Sequence, residues 1–131
     1  MNPFHWSLLL VIGAGGALGA VARYSLVHLT APFSRNNFPL GTFLANLTGS
    51  FLIGLAFVFF FLKYPNMFPH WRSQIMVGFL GAFTTFSTFA LESWTLYLQG
   101  QLGMAIGYAI ASVVGCFMAV AAGYGIAKLF I

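Results

Sequence analysis

The residues with the greatest capacity for chemistry lie in Gly78–Phe89, GFLGAFTTFSTF, where Thr84, Thr85, Ser87 and Thr88 follow Gly78 and Gly81 and alternate with Phe86 and Phe89. Unpaired polar groups cost several kcal/mol in hydrocarbon, so clustered hydroxyls and irregular backbone persist there only when buried in protein or lining a polar path. One isolated Thr would be read as bonding back to its own helix carbonyl. Four hydroxyls beside two glycines are read as the lining of a path. A second polar set, Thr42, Asn46 and Ser50, repeats every four residues and so shares one helix face, beside a small-residue stripe of Gly41, Ala45 and Gly49. The competing role for Asn46 is a bond between helices, worth about 0.6 to 2 kcal/mol. A weaker line of the same spacing holds Tyr108, Ser112 and Cys116.

These groups are donors, and fixed negative charge is nearly absent. Glu92 is the only acid, set against Arg23, Arg35, Lys63, Arg72 and Lys128, for a formal charge of +4. An interior of this kind does not repel anions. Phenylalanine adds to it, because the ring edge is positive and can face an anion while the ring's bulk excludes water. Phe86 and Phe89, three residues apart, fall on one face. Glu92 has two readings, a proton or ion site and an interfacial acid hydrogen-bonded near a pore mouth, of which the second is favoured. Arg23 also has two: it shapes the field at a pore entrance, or it caps carbonyls.

Much chemistry is excluded. There is no Ser-His-Asp or Cys-His set, paired carboxylate, HExxH, P-loop or dinucleotide fingerprint, so an enzyme would lack its usual groups. The five cations are spread along the chain, which argues against nucleic acid as a partner and against a headgroup-binding patch. The single Cys116 excludes an internal disulfide and a Cys-based metal cluster, and His70 has no partner at ligand spacing.

The elements that position these residues follow from composition. The chain has 131 residues, 60% of them hydrophobic and 5% charged, and a mean hydropathy of +0.93; a soluble domain carries about 25% charged residues. A membrane helix needs about 20 apolar residues, which predicts an all-α membrane protein of four spans in one domain covering 1–131, at about 6–29, 40–62, 72–98 and 102–129. The start, MNPFHWSLLLVIGAGG, lacks the basic residues of a secretory leader and is read as a retained first span. Residues 72–98 make about 40 Å of helix, more than the roughly 30 Å hydrocarbon core needs, which leaves slack for a break at the centre. Gln99-Gly100-Gln101 allows only a tight turn, so the last two spans form an antiparallel hairpin.

Small residues recur at helical spacing in span one (Gly15/Gly19, Gly16/Ala20) and in a ladder on span four (Gly103, Gly107, Ala111, Gly115, Ala119, Gly123). Such faces let backbones approach closely. They exceed what one four-helix bundle can satisfy, which predicts a homodimer. The end holding both termini carries Lys63, Arg72 and Lys128, so the positive-inside bias towards cytoplasmic termini is small and compatible with insertion both ways.

GGALGAVARY in span one, GTFLANLTGSFLIG in span two and GFLGAFTTFSTF in span three resemble the signature motifs of the Fluc (CrcB-type) fluoride channels, and the similarity covers essentially the whole chain. The resemblance implies an antiparallel, dual-topology homodimer in the bacterial cytoplasmic membrane, with two pores that pass fluoride passively and relieve cytoplasmic fluoride toxicity. It implies pore roles for Asn46, Phe86, Phe89, Ser87, Thr88, Tyr108 and Ser112. It also implies a structural sodium ion on the dimer axis, held by backbone carbonyls at Gly81 and Thr84. Arg23 and Glu92 are assigned to a pore vestibule or to structure. The alternatives are a small multidrug-type proton-coupled exporter, which needs an acidic residue central to span one where none stands, and a non-transporting scaffold built on the glycine seams.

Overall fold

With no water in hydrocarbon to satisfy backbone N–H and C=O groups, long apolar runs close their hydrogen bonds within the segment and become helices. The computed structural model describes residues 5–131. Four of its helical segments are long and apolar enough to cross a membrane: Trp6–Phe33, Leu40–Lys63, Pro69–Leu98 and Leu102–Lys128. They are called the first to fourth spans below. The reading of the first residues as retained lies, for residues 1–4, outside the described part.

The third span starts at Pro69, whose missing N–H suits a first helical turn, after Phe68 in the left-handed region (φ 59°). Winding is not uniform. Val58–Lys63 ends the second span as π-helix, and Ser73–Leu80 runs as π-helix within the third. Further on, helix Gly81–Phe83 stops, Thr84 (φ −86°, ψ 158°) and Thr85 (φ −154°, ψ 121°) are extended, and helix resumes over Phe86–Leu98. The turn into the fourth span uses Gly100 at φ 77°, and Gln101 N–H bonds Leu96 O at 2.9 Å.

Glycine decides how closely the spans pack. A Cβ on Gly15 would strike the Gln74 carbonyl, one on Gly19 the Phe79 carbonyl, and one on Gly78 would lie 2.6 Å from Ile12 O, so the first span and the start of the third touch backbone to backbone. The second and fourth spans meet in the same way, with Gly54 against the Val120 carbonyl and Gly123 against that of Phe51. Gly41 faces Val27 Cα, which its Cβ would approach to 2.5 Å. The ladder on the fourth span behaves differently from its spacing. Among the described residues Gly103 and Gly107 have nothing within 4 Å, while Gly115 meets only a Leu47 methyl at 3.2 Å. Of the row's glycines, Gly123 alone makes the close backbone contact expected of them all. A buried cluster of Phe89, Leu96, Ala105 and Tyr108, flanked by Phe38 and Phe43, joins the third and fourth spans beyond the extended residues.

Candidate functional site

The two extended residues of the third span release backbone groups that helix would otherwise satisfy, and each finds a specific partner. Thr85 N–H, which an unbroken helix would direct at Gly81 O, instead donates to Asn46 Oδ1 at 2.7 Å. Asn46 Nδ2 donates in return to Thr85 O at 3.0 Å. The side-chain amide therefore ties the second span to the centre of the third through both of its ends, and one Nδ2 hydrogen is left over. The Arg23 guanidinium, half-buried, donates from Nε to Ala82 O at 3.1 Å and from Nη1 to Thr88 Oγ1 at 3.4 Å. The first of these bonds is to a main-chain carbonyl of the short helix Gly81–Phe83.

Thr85 also starts the next helix, since its Oγ1 accepts Thr88 N–H at 3.2 Å and donates to Thr88 Oγ1 at 3.1 Å. Loss of such a cap costs roughly 1 kcal/mol. Thr85→Ala is therefore expected to lower the melting temperature of the purified protein with secondary structure retained, and an unchanged melt would remove the cap from the account. Thr84 behaves as an isolated hydroxyl does, donating back to Leu80 O at 2.9 Å.

Glu92 receives two hydroxyl donors: Thr42 Oγ1 reaches Oε1 and Tyr108 OH reaches Oε2, both at 2.7 Å. The carboxylate thus joins second, third and fourth spans, and each oxygen holds one hydrogen bond. Tyr108 is fully buried, with its ring 5.2 Å from that of Phe89 and 5.4 Å, edge-on, from that of Phe38. Phe86 and Phe89 lie 5.5 Å apart, centroid to centroid, but only Phe89 is buried; Phe86 is 77% exposed.

A cavity of about 350 Å³ opens between the second span, the extended residues and the fourth span. Of the residues singled out from the sequence, Asn46, Gly81, Thr84, Thr85, Phe86, Phe89 and Ser112 line it, whereas Ser87, Thr88, Tyr108, Arg23 and Glu92 do not. Ser50 and Cys116 complete its polar wall, against Ile53, Leu80, Val113 and Phe117. Ser112 is 5% exposed, and its Oγ has no hydrogen-bond partner. A buried hydroxyl left in that state carries a desolvation cost of about 1 to 3 kcal/mol unless something enters to meet it. Ser50 was legible as the third member of the Thr42/Asn46/Ser50 stripe. Thr85 was legible only as one of four adjacent hydroxyls, with nothing in its spacing to mark it as both cap and partner of Asn46. Among the described residues no cluster of His, Cys, Asp or Glu could hold a metal ion.

The family model described as CrcB-like protein, Camphor Resistance (CrcB), matches residues 10–124. The chain belongs to the CrcB family. Among curated relatives, the chain is 47% identical over 123 residues to a protein of Hahella chejuensis named "Fluoride-specific ion channel FluC", with 94% of this chain and 96% of the relative covered. Proteins of the same name from Saccharophagus degradans (48% over 107 residues; 82% of this chain, 79% of the relative) and Koribacter versatilis (42% over 111 residues; 85% and 87%) are also similar. The CrcB match covers the second and third membrane segments in full, most of the first and fourth, and every residue that lines the cavity.

Proposed function

We propose that this CrcB-family chain is a passive, fluoride-selective channel that releases fluoride from the cytoplasm of a bacterium across its inner membrane. It is not an enzyme, in keeping with relatives named as ion channels. The observation that carries the proposal is the pair of unused donors at one cavity: the unpartnered Ser112 Oγ and the second N–H of Asn46. A small, strongly hydrated anion gives up water only where donors replace it. Here the hydroxyl, the amide and the positive edges of Phe86 and Phe89 serve that role. Chloride, being larger, is rejected by the narrowness of the path between these groups. A proton-coupled exporter is not favoured, since the first span carries no acid and the only carboxylate is engaged by Thr42 and Tyr108.

In this reading Ser87, Thr88 and Tyr108 continue the polar route beyond the cavity, and Arg23 and Glu92 brace its walls. The third span is a broken helix. A single chain leaves Phe86 exposed and the Gly103/Gly107 face open, and a second, antiparallel copy would cover such surfaces and complete two pores in a dual-topology homodimer. The break also suits a structural sodium ion. Gly81 O has lost Thr85 N–H to Asn46, and freed carbonyls of a discontinuous helix are apt ligands for a hard monovalent cation. Gly81 and Thr84 would hold it, two carbonyls from each subunit, and the ion would supply positive charge that fastens the two breaks together.

Fluoride efflux from proteoliposomes tests the reading. Phe86→Ile keeps apolar bulk but removes the ring edge, and efflux is expected to fall about fivefold, in line with an edge contact of roughly 1 kcal/mol. Wild-type efflux from that variant, with its oligomeric state unchanged, would take Phe86 out of the path.

A further inference from the structure

Lys63, His70 and Arg72 flank the turn between the second and third spans, at one end of the protein. The Arg72 guanidinium lies 5.0 Å from the centre of the Phe61 ring, which brings the third span's first cation onto the end of the second. Two residues further on, Lys63 Nζ lies 5.6 Å from the Tyr64 ring. The chain's only acidic side chain, Glu92, is on the far side of the extended residues and is bonded to Thr42 and Tyr108. No carboxylate side chain therefore neutralises these cations.

Between the second and third spans runs an apolar groove of about 400 Å³, walled by Leu52, Ala56, Phe59 and Phe60 on one side and Ile75 and Phe79 on the other. From Leu52 to Phe60 it extends about 12 Å towards the membrane centre. Its outer end meets the charged cluster. The Phe59 ring packs edge-on against Tyr64 at 5.0 Å, and Ile75 follows Arg72 by three residues. Both walls are π-wound at this end, Val58–Lys63 and Ser73–Leu80, a rare geometry that is frequent at functional sites.

We propose that this groove binds an anionic phospholipid, its phosphate on Lys63 and Arg72 and one acyl chain between the second and third spans. Arg72, whose guanidinium lies over the Phe61 ring, offers N–H groups suited to bidentate phosphate contact. The occupant is anionic because a zwitterionic headgroup brings its own cation to a site that already has two. The chain-wide spread of cations hid the site, because only the fold lays Arg72 on Phe61, two residues before Lys63.

Native mass spectrometry of the detergent-purified protein tests this, with phosphatidylglycerol and phosphatidylcholine of identical acyl chains as probes. Retention of phosphatidylglycerol is expected to exceed that of phosphatidylcholine by roughly tenfold or more, since each Lys or Arg near an anionic surface contributes about 1 kcal/mol. The preference should vanish in Lys63→Gln/Arg72→Gln. Ala56→Trp, which fills the groove and keeps both cations, should reduce retention of both lipids. Equal retention of the two lipids by the wild type, or full preference in the double variant, would overturn the proposal. So would displacement of the lipid by glycerol 1-phosphate at equal concentration, or protection of the groove from hydrogen exchange by a second copy of the chain without lipid. The wild-type comparisons decide the matter even if the double variant fails to fold, and none of these readouts depends on fluoride transport.

Discussion

Asn46→Leu is expected to abolish fluoride efflux while the four spans still insert. Leucine fills a similar volume but returns neither hydrogen bond, so Thr85 N–H and Thr85 O lose their partners at 2.7 and 3.0 Å. Each orphaned group costs about 1 to 3 kcal/mol when buried. The extended residues can escape that cost only by rewinding or shifting, and either movement rearranges Thr84, Thr85 and Phe86 on the cavity wall. The variant also deletes the spare N–H. A combined loss of about 3 kcal/mol corresponds to roughly a hundredfold fall in efflux. Asn46→Asp is an informative companion, because it keeps one acceptor for Thr85 N–H but places a carboxylate on the proposed anion path, and it should block equally. If Asn46→Leu merely dissociated an oligomer and left per-pore conduction intact, the residue would be glue between helices.

Gly123→Val is expected to have the largest effect on stability. Its Cβ would strike the Phe51 carbonyl oxygen, with Phe51 C at 3.1 Å and Leu55 N at 3.2 Å. These are backbone atoms of the facing helix, which cannot rotate aside as a side-chain tip can. The second and fourth spans must therefore separate, at a cost at or above the usual 1 to 3 kcal/mol of overpacking. Those two spans form opposite walls of the cavity, so the consequence reaches the site: Ser112 and Asn46 move apart. Thermal unfolding in detergent should show a clear drop in melting temperature and, at permissive temperature, loss of efflux. Gly125→Ala, two residues away with nothing within 4 Å, should melt as the wild type does. Equal behaviour of the two variants would contradict the packing account.

Much of the scaffold was legible in the sequence, because hydrocarbon imposes helices and composition alone marks four of them. The Gly41/Ala45/Gly49 stripe was legible for the same reason that it works: all three are buried, Gly41 against the Val27 backbone and Gly49 against the Phe83 and Thr84 side chains. The fourth-span ladder shows the limit of that logic. Spacing identifies a face able to take a close neighbour, but of the ladder's glycines only Gly123 has a close backbone neighbour among the described residues. The partners of Glu92 were not legible either. Thr42 and Tyr108 lie 50 and 16 residues away, and which hydroxyl meets a carboxylate depends on the rotation of each helix about its axis, which small residues leave weakly specified. Arg23 was recognisable as an anomaly, yet its target, Ala82 O, is a main-chain atom that carries no side-chain signal. The π-winding of two spans leaves no compositional trace, since the same apolar residues suit either winding. The resemblance of three motifs carried the functional reading further than donor counting did, and the CrcB match over residues 10–124 supports the family it named.

The central claim is tested most directly by purified protein in liposomes loaded with equal fluoride and chloride, followed with an electrode for each ion after potassium release by valinomycin. Rapid loss of fluoride with chloride retained is predicted, without any requirement for a proton gradient. Retention of fluoride by liposomes that contain intact, correctly assembled protein, or loss of both halides at similar rates, would contradict it.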